Sequence, residues 1–315
     1  MATSRPDSNQ AQLRIGTRGS PLALAQAEEA RARLIAAHPE LAAPGAIEIR
    51  VIKTTGDKVQ DRPLSEIGGK GLFTKEIEEA LLAGEIDLAV HSMKDVPTIL
   101  PDGLVIDCLL PREDPRDVLI ATAGNSIATL PQGAVVGSAS LRRAAQVKAL
   151  RPDVAIVPLR GNVETRIAKV QRGDATATLL ALAGLKRLHK ANVATAILST
   201  DEMLPAVAQG AIGIESRAND DRVNALLAPL NDPQTELRVT AERACLAVLE
   251  GSCRTPIAAL AELQGDVVRF RALIALPDGS KVYREEATAP AAEAKTLGEQ
   301  IGRKLKETAG PDFLS

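Results

Sequence analysis

Two stretches decide how this chain folds: Ile15-Gly16-Thr17-Arg18-Gly19-Ser20 and Val136-Gly137-Ser138-Ala139-Ser140. Each is a short strand-like run that ends in small or polar residues and opens a helical pattern, the first reaching Gln26 and the second Gln146. Each is followed by a further strand with its own polar end, Lys53-Thr54-Thr55-Gly56-Asp57 in one case and Arg160-Gly161-Asn162 in the other. The echo predicts two domains of similar build whose strand-end loops face one another across a cleft.

Working outward, strand and helix patterns alternate. Residues 48–52 and 86–90 read as strands. Phe73, Ile77 and Leu81 form the stripe of a helix between them, with Gly84 at its stop. Residues 109–116, with Pro111 and Pro115 amid charge, are the candidate hinge. The next block reads as strand 134–136, helix 141–150, strand 154–157, helix 163–171 and strand 176–181. Such alternation implies right-handed crossovers and a mainly parallel sheet. Beyond Pro233 the pattern becomes a helix over about 236–250, strands 267–274 and 281–284 joined by Pro277-Asp278-Gly279, and a last helix over 291–306. That is a small α+β unit, and residues 1–12 read as a loose tail.

Length and composition fit this reading. The 315 residues suffice for two or three domains with sizeable cores. A 45% hydrophobic and 25% charged composition excludes wholesale disorder, collagen and a coiled-coil rod. A net charge of -2 with 1% aromatics speaks against a nucleic-acid surface, which wants excess cations or stacking rings. With no Trp, one Tyr and three Phe, the cores must be filled by Ala, Leu, Val and Ile, and small-molecule recognition must run through polar groups. Three cysteines without a CxxC pair exclude a disulfide framework and a structural zinc site. The first residues lack an apolar signal region, and the most apolar stretch, 175–185, falls short of the ~20 residues a bilayer requires. A reducing cytoplasm is expected.

In parallel sheets ligands gather at the carboxyl ends of strands, where helix N-termini favour anions. Ser20, Ser138 and Ser140 are helix-capping types there, and Arg18, Arg142, Arg143, Arg160 and Arg166 fall in the same loops or first turns. Arginine in a first turn opposes the helix dipole. Bidentate carboxylate or phosphate binding is the functional reason for it, and a solvated surface charge the bland one. No GxxxxGK[ST] word exists, and Gly68-Gly69-Lys70-Gly71 lacks the following Ser/Thr, so carboxylates are favoured over a triphosphate. His91-Ser92-Met93-Lys94-Asp95-Val96-Pro97 places a base, a cation and a carboxylate at one strand end. Asp95 there is either a satisfied turn residue or a group that stabilises a developing cation and shuttles a proton, while His91 reads as a packing residue. Cys253, among small residues and beside Arg254, has the setting of a reactive thiol, whereas Cys108 and Cys245 lie in apolar runs and read as inert.

Taken together the words resemble the porphobilinogen deaminase (hydroxymethylbilane synthase) family over nearly the whole chain. They are Arg14-Ile-Gly-Thr-Arg-Gly-Ser-Pro-Leu-Ala-Leu24, Gly68-Gly-Lys-Gly-Leu-Phe-Thr-Lys-Glu76, Ala89-Val-His-Ser-Met-Lys-Asp-Val-Pro97 and Arg112-Glu-Asp-Pro-Arg-Asp117. Ser140-Leu-Arg-Arg143, Leu159-Arg-Gly-Asn-Val163, Ala183-Gly-Leu-Lys-Arg-Leu188 and the Cys253 loop follow in order.

The resemblance implies an α/β chain of three domains. Two are doubly wound and similar to periplasmic binding proteins, covering 13–110 completed by about 204–228, and 115–203. The third, 230–315, is α+β. It implies a transferase that joins four porphobilinogen units head to tail with loss of ammonia, releasing the linear hydroxymethylbilane of tetrapyrrole biosynthesis. The implied cofactor is one dipyrromethane per chain, thioether-linked to Cys253. Asp95 and Lys94 are the implied catalytic pair. Ser20, Asp57, Lys70, Lys94, Ser140, Arg142, Arg143 and Gly161 are the implied cofactor contacts, and Arg18, Arg160, Arg166, Arg187 and Gln209 the implied holders of substrate carboxylates. No metal, nucleic acid or membrane is implied. A cytoplasmic monomer is expected, its product passing to the next enzyme of the pathway. Ser252, Ala139 and Glu66 depart from the family's usual residues, Glu66 putting one cofactor contact in doubt, and Asp174-Ala175-Thr176-Ala177 replaces a more usual acidic-aromatic word. A non-catalytic anion receptor, the rival reading, would need neither Lys94-Asp95 nor Cys253 and would usually carry a secretory signal.

Overall fold

The computed structural model describes residues 11–58, 71–251, 255–310 and 313. From Leu13–Thr17 (β1) the chain passes through Pro21–Ala37 (α1), Ile47–Val51 (β2), Thr55–Lys58 (α2), Lys75–Leu82 (α3), Leu88–Ser92 (β3) and Leu104–Leu109 (β4). It then crosses into Asp117–Ala121 (β5), Val135–Gly137 (β6), Leu141–Leu150 (α4), Ala155–Val157 (β7), Val163–Gln171 (α5), Ala177–Ala181 (β8), Leu182–Arg187 (α6) and Ala196–Ile197 (β9). It returns for Ile212–Arg217 (β10) and Asp221–Leu227 (α7). The chain continues through Pro233–Val248 (α8), Ile257–Gln264 (β11), Val267–Ala275 (β12), Val282–Pro290 (β13) and Ala294–Ala309 (α9).

The two halves of the echo are two five-stranded sheets of one topology, β2-β1-β3-β10-β4 and β7-β6-β8-β5-β9. In each, the first three strands are parallel, and the fourth, β10 or β5, runs against both its neighbours. That fourth strand is the one adjoining a crossover, so each lobe is completed by chain passing to or from the other. The expected parallel sheet therefore carries one antiparallel strand in each lobe. β4, β5, β9, β10 and β11 went unassigned in the sequence because they lie outside the strand–helix alternation. The third unit therefore differs from the expectation, holding three antiparallel strands, β11-β12-β13, rather than two.

Burial explains how these layers hold. Leu13, Ile15, Leu88, Ile212 and Ile214 of the first sheet are fully buried against Ala27, Ala30 and Leu34 of α1. Val118, Ile120 and Leu180 of the second pack with Ile167, Val170 and Leu185. The third unit's core, around Phe270, also takes in Met93 and Val96, the residues flanking Lys94-Asp95. Thus the short turn that carries those polar side chains is anchored on both sides by buried apolar contacts, each side chain of this kind contributing about 1.5–3 kcal/mol.

In that third unit α9 lies so close on α8 that a Cβ on Gly298 would stand 2.1 Å from the Ala241 carbonyl oxygen. Only a missing side chain permits this approach. Gly298→Ala is expected to cost about 1–3 kcal/mol despite alanine's better helix propensity, seen as a lower urea midpoint; an unchanged midpoint would mean that the helices separate freely.

Candidate active site

The carboxyl ends of the parallel strands of both lobes converge on one cleft of about 790 Å³. Two of the helices that open on it are capped by serines the sequence singled out, and a third by Asn162, which it did not. Ser20 Oγ accepts from Ala23 N at 3.3 Å, Ser140 Oγ from Arg143 N at 3.4 Å and Asn162 Oδ1 from Thr165 N at 2.8 Å. The caps fix where the following arginines leave the backbone.

Among the described residues seven cationic side chains line the cleft: Arg18, Lys53, Lys94, Arg142, Arg143, Arg160 and Arg166. Asp57, Asp95 and Glu164 are the acidic ones. The expected site residues Asp95, Lys94, Ser20, Asp57, Ser140, Arg142, Arg143, Gly161, Arg18, Arg160, Arg166 and Gln209 are all brought to this surface. Cys253 and Lys70, with Glu66 and Ser252, lie outside the described residues; Leu246 and Thr255, before and after Cys253 in the sequence, line the cleft. Gly161 sits at φ +120°, and a Cβ there would lie 2.7 Å from Thr165, so a ligand meets bare backbone at this point.

Several of these groups are already paired. Arg18 forks onto Asp57, with Nε at 3.2 Å from Oδ2, and lies 4.2 Å over the Phe73 ring. Burial alone would push Asp57 up, but Arg18 and the Thr54 hydroxyl hold it below its ordinary value. Arg142 and Arg143 both clasp Asp117, each at 2.7 Å, and Asp117 is wholly buried. Desolvation would raise that carboxyl, yet the two guanidiniums hold it well below the carboxylate range. Gln209, expected to meet a substrate carboxylate, spends its amide inside the protein. Its Nε2 donates to Pro115 O at 2.7 Å and to Asp117 Oδ1 at 3.0 Å, and its Oε1 accepts from Lys94 Nζ at 3.4 Å. Arg187 lies outside the cleft lining, pairing instead with Glu29 at 3.0 Å. Asp117 is the residue that sequence reasoning missed: it ends the word Arg112-Glu-Asp-Pro-Arg-Asp117, but nothing in spacing marks it as a buried counter-ion.

What remains is an excess of positive charge. Burial and then the Arg143 guanidinium push Lys94 down to about 8, against the pull of Asp95 and Asp117. Arg166, desolvated and facing Arg143 and Arg160, falls to about 10. Arg142 keeps a buried Nε with no hydrogen-bond partner among the described residues. Crowded cations with an unspent donor make a receptor for a ligand with several carboxylates. By contrast, Asp95 has no hydrogen bond or ion pair among the described residues. His91 does not share that freedom, its Nε2 being bound to buried Glu215 at 2.9 Å. Cys108 and Cys245 are pushed up to about 12 by burial, as inert core thiols would be.

A two-lobed α/β body with a polyanion cleft and a third unit at its edge has counterparts among known proteins. Residues 13–225 match the family model described as porphobilinogen deaminase, dipyromethane cofactor binding domain, and 236–307 match the porphobilinogen deaminase C-terminal domain. The chain belongs to the porphobilinogen deaminase family. A porphobilinogen deaminase of Paracoccus denitrificans is 60% identical over 99% of both chains. A chloroplastic one of Oryza sativa is 58% identical over 96% of this chain and 85% of its own. That of Nitrobacter winogradskyi is 57% identical over 96% and 95%. A putative methionine-binding lipoprotein of Bacillus subtilis superposes with a TM-score of 0.42 at 11% identity over 71% of this chain and 91% of its own, too distant a likeness to carry weight. Among the described residues no helix is long and apolar enough to cross a membrane.

Asp117 supplies a pH test. Its folded value lies below the ordinary 3.8, so the stability it gives is full above that value and is lost as pH falls through and below it. Asp117→Asn should cost about 3–5 kcal/mol at pH 7 and clearly less at pH 3 in urea titrations. An equal cost at both pH values would contradict the clasp.

Proposed function

We propose that this chain condenses four porphobilinogen molecules head to tail, releasing ammonia at each step and finally hydroxymethylbilane, in tetrapyrrole biosynthesis. We read it as a cytoplasmic monomer that passes its product to the next enzyme of that pathway. Its domains are taken as 13–110 with about 204–228, 115–203 and 230–315, a division supported by the sheet memberships. The single observation that carries the catalytic reading is Asp95, a carboxylate at the rim of β3 unpaired among the described residues, in a cleft otherwise dominated by cations.

The residues present fit a dipyrromethane. Arg142 with its unspent Nε, Arg143, Lys94, Ser140 and the bare backbone of Gly161 would hold its acid arms. Asp57 and Lys70 would assist, and Cys253 would carry the thioether. When bound, the group supplies a tethered pyrrole end on which the product grows without being released.

The chain's own residues then do the following. Arg18, Arg160 and Arg166 hold the acetate and propionate arms of an incoming unit, which fixes the reacting carbons and removes the entropy cost of their encounter. Lys94 Nζ, steadied by Gln209, adds a compact cation beside the reacting position. A carboxylate oxygen of Asp95 faces the positive charge that develops as the amine departs and then takes the proton shed when the new C–C bond forms. Among the described residues the other two acids of the cleft are committed elsewhere, Asp57 to Arg18 and Glu164 to Lys190.

Intact-mass measurement of purified protein should give an excess over the polypeptide equal to two condensed porphobilinogen units, absent in Cys253→Ala. Asp95→Asn should retain that excess while losing at least about a hundredfold in kcat. Near-normal turnover in Asp95→Asn would remove this carboxylate from the mechanism.

A further inference from the structure

Glu29 lies on α1, outside the cleft, yet it makes an ion pair that joins the two lobes. Its Oε2 meets Arg187 Nε of α6 at 3.0 Å, while its Oε1 meets Arg33, one turn along α1, at 3.3 Å. Arg187 is 9% exposed and Glu29 28%, so the pair is neither solvent-screened like a surface bridge nor sealed like a core one. The same guanidinium donates from NH2 to Gly210 O at 3.2 Å, in the returning crossover. Beside the pair, α1 and α6 touch: a Cβ on Gly184 would stand 3.3 Å from Leu22 Cδ2. Gly184 and Leu188 on either side of Arg187, and Gln209 next to Gly210, all line the cleft. The guanidinium therefore stands at the cleft's rim with two of its five N–H donors committed among the described residues.

We infer that Glu29 is a positioning residue for Arg187, holding the guanidinium and α6 against α1 while the cleft is free of substrate and yielding it to a substrate carboxylate that arrives at this rim. The inference rests on the carboxylate-bearing substrate proposed above. The geometry favours an exchange over a simple rupture. Arg187 trades one carboxylate for another, so no desolvated cation is left unpaired. Glu29 keeps Arg33 as its partner. The two states thus differ little in charge pairing, which is what a latch opened by its own ligand requires.

Glu29→Gln preserves size on an amphipathic helix and tests this directly. In substrate-free protein the amides of α6 should exchange with deuterium faster than in the wild type. In steady-state assays KM for porphobilinogen should fall about fivefold, with kcat changed little, because a competitor for Arg187 is gone. Glu29→Asp should return KM towards the wild-type value. In an Arg187→Gln background Glu29→Gln should leave KM unaltered. A KM that rises or stays constant, or an effect of equal size in the Arg187→Gln background, overturns the inference. Unchanged α6 exchange overturns it as well. The exchange measurement needs no substrate, so an inactive wild type would defeat the functional reading and not the latch.

Discussion

The buried ion pair between Arg112 and Glu242 is the contact on which the arrangement of the three units depends. Arg112 lies on the outgoing crossover and Glu242 on α8, and they meet in a fork of 2.6 and 3.1 Å with 2% and 0% exposure. A buried pair is favourable only when its remaining donors and acceptors are filled. Here Glu242 also accepts from Ala208 N at 2.6 Å and Ala261 N at 2.9 Å, while Arg112 Nε reaches Gln209 O at 2.9 Å. Outgoing crossover, returning crossover, α8 and β11 are thereby tied at one point. Ala208 adopts φ +58°, unusual for a residue with a side chain, where the chain turns to present its amide to that carboxylate.

From this node a polar path leads to the cleft. The Gln209 carbonyl belongs to the Arg112–Glu242 cluster, and its side-chain amide touches Asp117 and Lys94. Asp117 in turn orders Arg142 and Arg143. A cleft with so many like charges would repel itself apart if the guanidiniums were free to wander. One buried carboxylate offsets part of the charge and pins two of them, yet leaves the surface cationic enough to attract a polyanion. The location of the negative charge matters as much as its amount: Asp117 is behind the wall, and Asp95 is in the opening.

The sequence made much of this legible, and the reasons for success and failure are physical. Caps and their following helices were readable at Ser20 and Ser140, because each acts within three residues of itself. The two-lobed repeat was readable because strand–loop–helix words recur. β4, β5 and β11 were not, since a strand whose partners lie far along the chain bears no local signature: β5 pairs with β8 some sixty residues later. The same limit applied in the site. Arginines at strand ends could be gathered into a cleft, but whether each faces a ligand or an internal acid depends on distant chain. Asp117 claimed Arg142 and Arg143, and Glu29 took Arg187 away from the cleft lining.

The shared strand order of the lobes has a consequence for how the molecule comes into being. The second sheet is written in one continuous span, from Asp117 in β5 to Ile197 in β9, and every strand is on hand once that span has left the ribosome. The first sheet begins earlier but waits for β10, whose first residue is Ile212. Until then β3 and β4 have an empty place between them, two unpaired edges of the kind that invite adhesion. The lobe synthesised first is thus the one completed last, and the newborn chain must protect its opening half until the middle has folded.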